Sequence, residues 1–417
     1  MKEIRVAILG CGTVGGGVAR ILLDLEQKLQ KRTECKITLA TIVTRSPARS
    51  SEKFSLPKEL FCGSSDTLSD EECSAQMEQV MANPTIDLIV ETIGGCSPFL
   101  QKIMKQALAN GKHLVTANKA LLAEHGDPLF SEAEKQGVQL GFEAAICGAI
   151  PIVRSITDSF AGDDIESLSG IFNGTSNYIL SKMTAEKLPF DVALKLAQDK
   201  GYAEADPTLD INGGDAGHKL SLLARLAFGQ KLPYDQLEKF GIENITEDDL
   251  DFAKELGCVV KMICHATVQE GKISAAVTPM MVKESNFLSK VNGAENAVLV
   301  KNKYGGAHIL VGQGAGSYET ASSIVADIAC ISRNERANKG SSSAEEGQVS
   351  GLSDLLLPYH IIFETANHHG VTGAITTAIG KQSINIDTVG HNRHNESGNA
   401  VFAVATLPCS KKDILKA

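Results

Sequence analysis

Over the first 140 of 417 residues, short apolar runs alternate with longer stretches of helical periodicity. Residues 4–9 read as a buried strand and 14–29 as the helix that follows. Residues 37–43, 86–90, 113–116 and 138–142 are further strand candidates. Between them, 99–108 places apolar residues at 99, 100, 103, 104, 107 and 108, one face of a helix. Strands alternating with helices predict an α/β unit, a parallel sheet wound on both faces.

The pattern changes at Pro151. A strand at 167–172 is followed by helices near 175–184, 189–199 and 215–228, then strands near 258–268, 273–281, 297–302 and 307–312. That order predicts an α+β second domain. Residues 317–332 form an amphipathic helix, and 332–350, rich in Ser, Gly, Asn, Lys and Glu, have the composition of a solvated linker. Residues 359–366, 371–380, 384–389 and 400–407 then read as β-α-β-β, with a helix opening at Ser410. A ferredoxin-like unit would need roughly 15–20 further residues to finish, so this one is expected to be incomplete. The expected division is 1–149 with 308–333, then 150–307, a linker over 334–356, and 357–417.

Composition narrows the function. With 40 basic against 50 acidic residues the formal charge is −10, which disfavours nucleic-acid or anionic-membrane surfaces because both demand clustered Lys and Arg. No apolar run reaches the ~18–20 residues that span a bilayer. Trp is absent and aromatics are 5%, so the core must be aliphatic. The ten cysteines contain no CxxC pair, which points to reduced thiols in a cytoplasmic compartment rather than a structural metal site. The apolar, Gly-rich stretch 6–19 fits a strand–turn–helix better than a secretory leader.

That stretch holds Gly10-Cys11-Gly12-Thr13-Val14-Gly15, directly after a strand and opening a helix. Gly10 suits the tight turn, Gly12 the approach of backbone to a pyrophosphate, and Gly15 close helix–strand packing, the fingerprint of a Rossmann-type dinucleotide site. The second strand ends Val43-Thr44-Arg45-Ser46 without an acid. NAD sites carry a carboxylate there for the ribose 2′-hydroxyl, so Arg45 tilts the choice to NADP(H), with NAD(H) still open. Lys119 follows the strand at 113–116, on the side of a doubly wound sheet where ligands bind, and is placed to reach the cofactor or the substrate; an exposed surface lysine is the alternative. The densest polar constellation runs from Gly201 to Lys219. It carries Glu204, Asp206, Asp210 and Asp215, with Asp215 and Lys219 four apart on one helical face. A carbonyl reduction needs a proton donor, and a positioned Lys219 can serve; an ordinary i,i+4 pair is the alternative. Glu143, followed by an almost apolar run to Pro151, is either a domain connection or an acid beside free carbonyls that could hold a small cation. Cys147 could be a thiol nucleophile, though a buried inert thiol is the simpler reading. His368, His369, His391 and His394 lack metal spacing and read as loop residues.

Together, Gly-Cys-Gly-Thr-Val-Gly at 10–15, Thr-Ala-Asn-Lys-Ala at 116–120, Phe-Glu-Ala-Ala at 142–145, Asn-Gly-Thr-Ser-Asn-Tyr at 173–178 and Glu-Ala-Asp-Pro to His-Lys over 204–219 resemble homoserine dehydrogenases. The return segment Gly312–Gly316 with Thr320 and Asp327 fits too. The resemblance spans about residues 4–330 and implies NAD(P)-dependent interconversion of L-homoserine and L-aspartate 4-semialdehyde, on the route to threonine, isoleucine and methionine. It implies Lys219 as acid/base group with Asp215 beside it, Lys119 as an active-site lysine, Glu204 for the substrate ammonium and Asp210 as another substrate-side acid. It puts Gly10, Thr13, Val14, Thr92 and Gly316 at the cofactor. It also implies a sodium-like ion at Glu143, Ile146, Gly148 and Ile150, held largely by main-chain oxygen. Cys147 departs from the family's usual Gly and would be strained at positive φ. The tail from Tyr359 resembles an ACT module, implying an amino-acid effector, and a homodimer or homotetramer is expected. Two other activities stay open on the residues alone: a thiol-dependent semialdehyde dehydrogenase and a non-catalytic NADP-sensing regulator.

Overall fold

The computed structural model describes residues 2–63, 65–335, 344–351, 355–366, 368–394 and 399–417. β1 (Lys2–Leu9), β2 (Cys35–Val43), β3 (Leu88–Glu91), β4 (His113–Thr116) and β5 (Leu140–Gly141) form one parallel sheet in the order β2-β1-β3-β4-β5. Val6, Ile8, Leu9, Leu88 and Val90 are fully buried, as strands covered by helices on both faces must be. The order reverses between β1 and β3. Their carboxyl ends splay into the crevice where such sheets take ligands.

The helix expected over 14–29 is two helices, Thr13–Asp24 and Glu26–Thr33, because Leu25 leaves helical geometry at φ −107° and ψ 12°. The polar second piece still sends Leu29 and Thr33 into the core. Helices Pro47–Phe54, Asp70–Ala82, Lys119–His125 and Asp127–Gln136 fill the gaps between strands for which the alternation implied helices without bounds, and Glu247–Glu255 lies where no helix was expected. Three of these begin at caps visible in the sequence: Ser69 with Glu72 and Thr246 with Asp249 are reciprocal capping boxes, and Asn118 accepts from the Leu121 amide.

The second sheet is mixed. Its strands run in the order Gly306–Gln313, Glu295–Asn302, Ile165–Ile171 (β6), Cys258–Gln269, Lys272–Lys283 and Gln348–Ser350. Helices Gly174–Glu186 and Gly214–Phe228 pack on it through Ile179, Leu180, Leu220 and Leu223. Two expected boundaries move. Residues 308–313 belong to this second sheet, paired with Glu295–Asn302, so the chain rejoins the first domain only at helix Ser317–Ser332. There Ala321, Ile324, Ile328 and Ile331 share a core with Val6, Ile8 and Val18. The 334–356 linker also contains structure: Glu345–Glu346 pairs with Gln230–Lys231, and Gln348–Ser350 adds an edge to Lys272–Ser274. An edge strand is held by backbone hydrogen bonds, so a polar composition does not prevent it.

Strand His360–Thr365, helix Val371–Lys381, and strands Ile386–His394 and Ala400–Thr406 give the expected β-α-β-β unit, a three-stranded antiparallel sheet with the last strand in the centre. Its core is Ile379, Ile384, Phe402 and Val404. His391 and His394 fall within a strand, not a loop. The unit docks on helix Glu247–Glu255, where the His360 ring stacks on Phe252 at 4.6 Å and its Nε2 lies 3.3 Å from Asp249. Among the described residues no helix is long and apolar enough to cross a membrane.

Candidate active site

At the crevice Gly10 has φ +90°, and a Cβ there would stand 2.9 Å from the Thr92 carbonyl. A Cβ on Gly15 would come within 2.1 Å of the Gly10 carbonyl. Only glycine fits at either point. Thr92 Oγ1 donates to the Gly10 carbonyl at 2.9 Å, and Glu91, fully buried, accepts from the amides of Ile93 and Gly94 at 2.7 and 2.9 Å and from Thr116 Oγ1 at 2.5 Å. Above Gly12 nothing would lie within 4 Å of an added Cβ, which leaves a free approach to the first amides of the helix at Thr13 and Val14. These amides carry the helix's positive end and suit a pyrophosphate. Gly316, at φ +134°, precedes Ser317, whose Oγ donates to the Thr13 carbonyl at 2.5 Å. That contact brings the return helix against the same loop.

The crevice encloses about 750 Å³ and is lined at its outer end by Arg45, Arg49 and Lys53. Arg45 is largely exposed, 3.5 Å from Asp70. Arg49 and Lys53 were missed in the sequence, although their i,i+4 spacing behind Pro47 marks one face of a short helix.

The polar centre lies where the two domains meet. Asp215, in the first turn of helix Gly214–Phe228, accepts from Lys219 Nζ at 2.7 Å on one oxygen and sits 3.0 Å from Lys119 Nζ through the other. Lys119 opens helix Lys119–His125, so the three expected catalytic side chains converge from two domains. Lys219 is buried and also donates to the Phe172 carbonyl at 2.6 Å. Burial would lower its pKa, but the Asp215 anion reverses this and raises it above the ordinary lysine value. Burial would likewise raise Asp215, yet the two ammonium groups hold it far below the usual carboxylate range. Lys219 has three N–H groups and these contacts use two, leaving one for a substrate oxygen.

Asn173 donates to Asp215 at 2.9 Å and to Asp210 at 2.6 Å, which joins Asp210 to the cluster. Burial first, and then the Asp215 charge, raise the Asp210 pKa. Asn296 donates to the same Phe172 carbonyl that holds Lys219. Neither asparagine was singled out in the sequence. Asn173 lay inside the quoted 173–178 motif, but Asn296 carries no local signal. Glu204 is not drawn into the cluster. It stands exposed in the loop before helix Thr208–Ile211, and its carboxylate has no hydrogen-bond partner among the described residues.

The 143–150 loop is tightly built. The Glu143 carboxylate accepts from the amides of Val153 and Arg154 at 2.7 and 3.0 Å and from the Arg154 guanidinium at 3.2 Å. Burial and the neighbouring Asp327 push its pKa up to about 7. The carbonyls of Glu143, Gly148 and Ile150 each accept one bond, from Ile146, Ser323 and Ile152 respectively. Cys147 does adopt positive φ, +53°, the conformation in which a side chain is strained. It is completely buried, and burial pushes its thiol up to about 11, which opposes thiolate nucleophilicity. No cluster of three or more His, Cys, Asp or Glu side chains that could hold a metal occurs among the described residues.

A dinucleotide crevice on one domain and the Lys119–Asp215–Lys219 array at the domain boundary together define a nicotinamide-dependent oxidoreductase of hydroxyl and carbonyl groups. The family models "Homoserine dehydrogenase, NAD binding domain" and "Homoserine dehydrogenase" match residues 10–143 and 151–329. Homoserine dehydrogenase of Bacillus subtilis is 35% identical over 393 residues, 93% of this chain and 88% of that one. The Pseudomonas aeruginosa enzyme is 35% identical over 410 residues, covering 96% and 91%. The crystal structure of a homoserine dehydrogenase from Thiobacillus denitrificans superposes with a TM-score of 0.89 at 34% identity, covering 100% of this chain and 94% of that one. The chain belongs to the homoserine dehydrogenase family. Its activity is the NAD(P)-dependent interconversion of L-homoserine and L-aspartate 4-semialdehyde in amino-acid biosynthesis.

In Asp215→Asn, Lys219 keeps its burial and loses its anion, so its pKa falls. With Lys219 as the proton donor that the sequence suggests, the rate of semialdehyde reduction should begin its alkaline decline at lower pH than in the wild type. An unmoved alkaline limb in the pH–rate profile contradicts this electrostatic account.

Proposed function

We propose that Lys219 is the acid–base group of this reaction and that Asp215 and Lys119 set its charge and position. The observation that carries this reading is the buried Lys219 ammonium, held by Asp215 and the Phe172 carbonyl with one N–H uncommitted. In the reductive direction Lys219 gives that proton to the carbonyl oxygen, and in the oxidative direction it takes the proton from the hydroxyl. NADPH, when bound, supplies the hydride. Gly10, Gly12, Thr13, Val14, Gly15, Thr92 and Gly316 are suited to hold its pyrophosphate end, because the glycines leave space no Cβ could share. Arg45, with Arg49 and Lys53, supports NADP(H) over NAD(H): three cations line the outer crevice and suit a 2′-phosphate. Glu204, exposed and unpaired, takes the substrate ammonium, with Asp210 as the second acid. Fixing both reactants in this way can supply up to ~7–11 kcal/mol of the acceleration.

For the 143–150 loop, the engaged Glu143 carboxylate leaves only the second lone pairs of the Glu143, Gly148 and Ile150 carbonyls and the Ile146 carbonyl. Such a set suits a monovalent sodium-like ion rather than a divalent one. The dinucleotide domain comprises 1–149 with helix Ser317–Ser332, and the substrate domain the second sheet. The C-terminal unit is an ACT-like effector site, in a cytoplasmic homodimer or homotetramer. The ten free thiols support a reducing compartment.

Lys219→Ala should lower kcat by about 10²–10⁴-fold while barely changing NADPH affinity, and Glu204→Ala should mainly raise KM for homoserine. Unchanged turnover in the first, or an unchanged KM in the second, removes that assignment. Cys147→Ser should keep turnover, since a thiol-dependent mechanism alone requires the sulfur. Replacing Arg45 and Arg49 together by Ala should raise KM for NADPH by tenfold or more (about 1.4 kcal/mol per factor of ten) and leave KM for NADH nearly unchanged. Equal losses with both cofactors would contradict the 2′-phosphate contact.

A further inference from the structure

Lys119 and Lys219 belong to different domains, so their separation depends on how helix Lys119–His125 lies against helix Gly214–Phe228. Polar pairs recur along that contact. Beyond Lys119–Asp215 comes His218 Nε2 with Glu124 Oε1 at 2.7 Å, and then Arg225 with Asp127 at 2.5 Å. Asp215, His218 and Arg225 follow one another at three and seven residues, one face of their helix. Beside the far end of the contact lies a groove of about 580 Å³, lined among others by Glu124, Asp127, Arg225 and Tyr234. Packing is therefore incomplete there, and the polar pairs define the spacing.

The middle pair is the most constrained. His218 is 3% exposed, and its ring stacks on Tyr234 at 4.0 Å with an interplanar angle of 19°. The stack fixes the ring plane and so the direction of Nε2. An ionised carboxylate only accepts, so Nε2–H is the donor to Glu124. His218 directly precedes Lys219, and Glu124 lies on the helix that begins with Lys119. A bond between them ties the backbone that carries one catalytic lysine to the helix that carries the other.

We infer that His218 and Glu124 form a positioning clamp, setting the separation of Lys119 and Lys219 around Asp215 at the moment of proton transfer. The inference rests on the roles proposed above for those lysines. A displacement of about 1 Å at reacting groups can cost on the order of 100-fold in rate, so a clamp remote from the substrate acts on kcat.

The test is steady-state kinetics of Glu124→Ala, Glu124→Gln, His218→Phe and the double variant Glu124→Ala/His218→Phe, with NADPH and the semialdehyde. Glu124→Ala should lower kcat by about tenfold with KM for NADPH unchanged. Glu124→Gln, whose amide oxygen still accepts from Nε2, should recover most of it. His218→Phe keeps the aromatic stack and should match Glu124→Ala, and the double variant should fall no further than either single one. Should His218→Phe not fold, the two Glu124 variants decide alone. A kcat within twofold of wild type in Glu124→Ala overturns the clamp, as does a Glu124→Gln enzyme no better than the alanine variant, or an additive double variant. Lys219→Ala separates the two levels. If it is inactive while Glu124→Ala keeps a kcat within twofold of wild type, only the clamp fails; if it is active, the acid–base reading fails.

Discussion

Asp215 faces an ammonium group from each side, Lys219 on its own helix and Lys119 on the neighbouring domain, and much of the site depends on that one carboxylate. Two buried or half-buried cations without it would repel each other in a medium that screens charge poorly. With it, the buried Lys219 is held in its charged form, and the domain boundary closes around a fixed polar centre. The Phe172 carbonyl and Asn173 complete the arrangement by absorbing the hydrogen bonds that Lys219 and Asp215 would otherwise leave unmet.

The fold supplies this centre from three directions. β4 ends at Thr116, and Asn118 caps the helix that starts with Lys119. β6 runs into Phe172, whose carbonyl accepts from Lys219 and Asn296 together. Gly213, at φ +83°, turns the chain so that helix Gly214–Phe228 begins with Asp215 in its first turn. The dinucleotide crevice opens at the reversal between β1 and β3, on the same edge of the sheet as β4. The ligand end of the sheet thus meets the Lys119–Asp215–Lys219 cluster without any long loop.

Elements with strong periodicity were legible in the sequence almost to the residue. Strand His113–Thr116 and helix Ser317–Ser332 are examples, since their apolar spacing is set by what they bury. The partnership of Asp215 with Lys219 was legible because four residues make one helical turn. That of Asp215 with Lys119 was not, because ninety-six positions separate them and only the packing of two domains brings them together. Arg49 and Lys53 escaped for a different reason: a two-turn helix of mainly polar residues gives no apolar stripe to detect. The strand at Gln348–Ser350 escaped because backbone pairing at a sheet edge leaves no mark on composition. Cys147 was legible in part. Its departure from glycine flagged the +53° backbone angle, but not that the neighbouring Glu143 carboxylate is consumed by Val153 and Arg154.

The most direct measurement is a crystal structure of the complex with NADPH and homoserine bound together. The account predicts Lys219 Nζ within about 3.2 Å of the homoserine hydroxyl oxygen, still paired to Asp215, with Glu204 at the amino group. A homoserine hydroxyl turned toward another donor, with Lys219 still occupied only by Asp215 and Phe172, would contradict it.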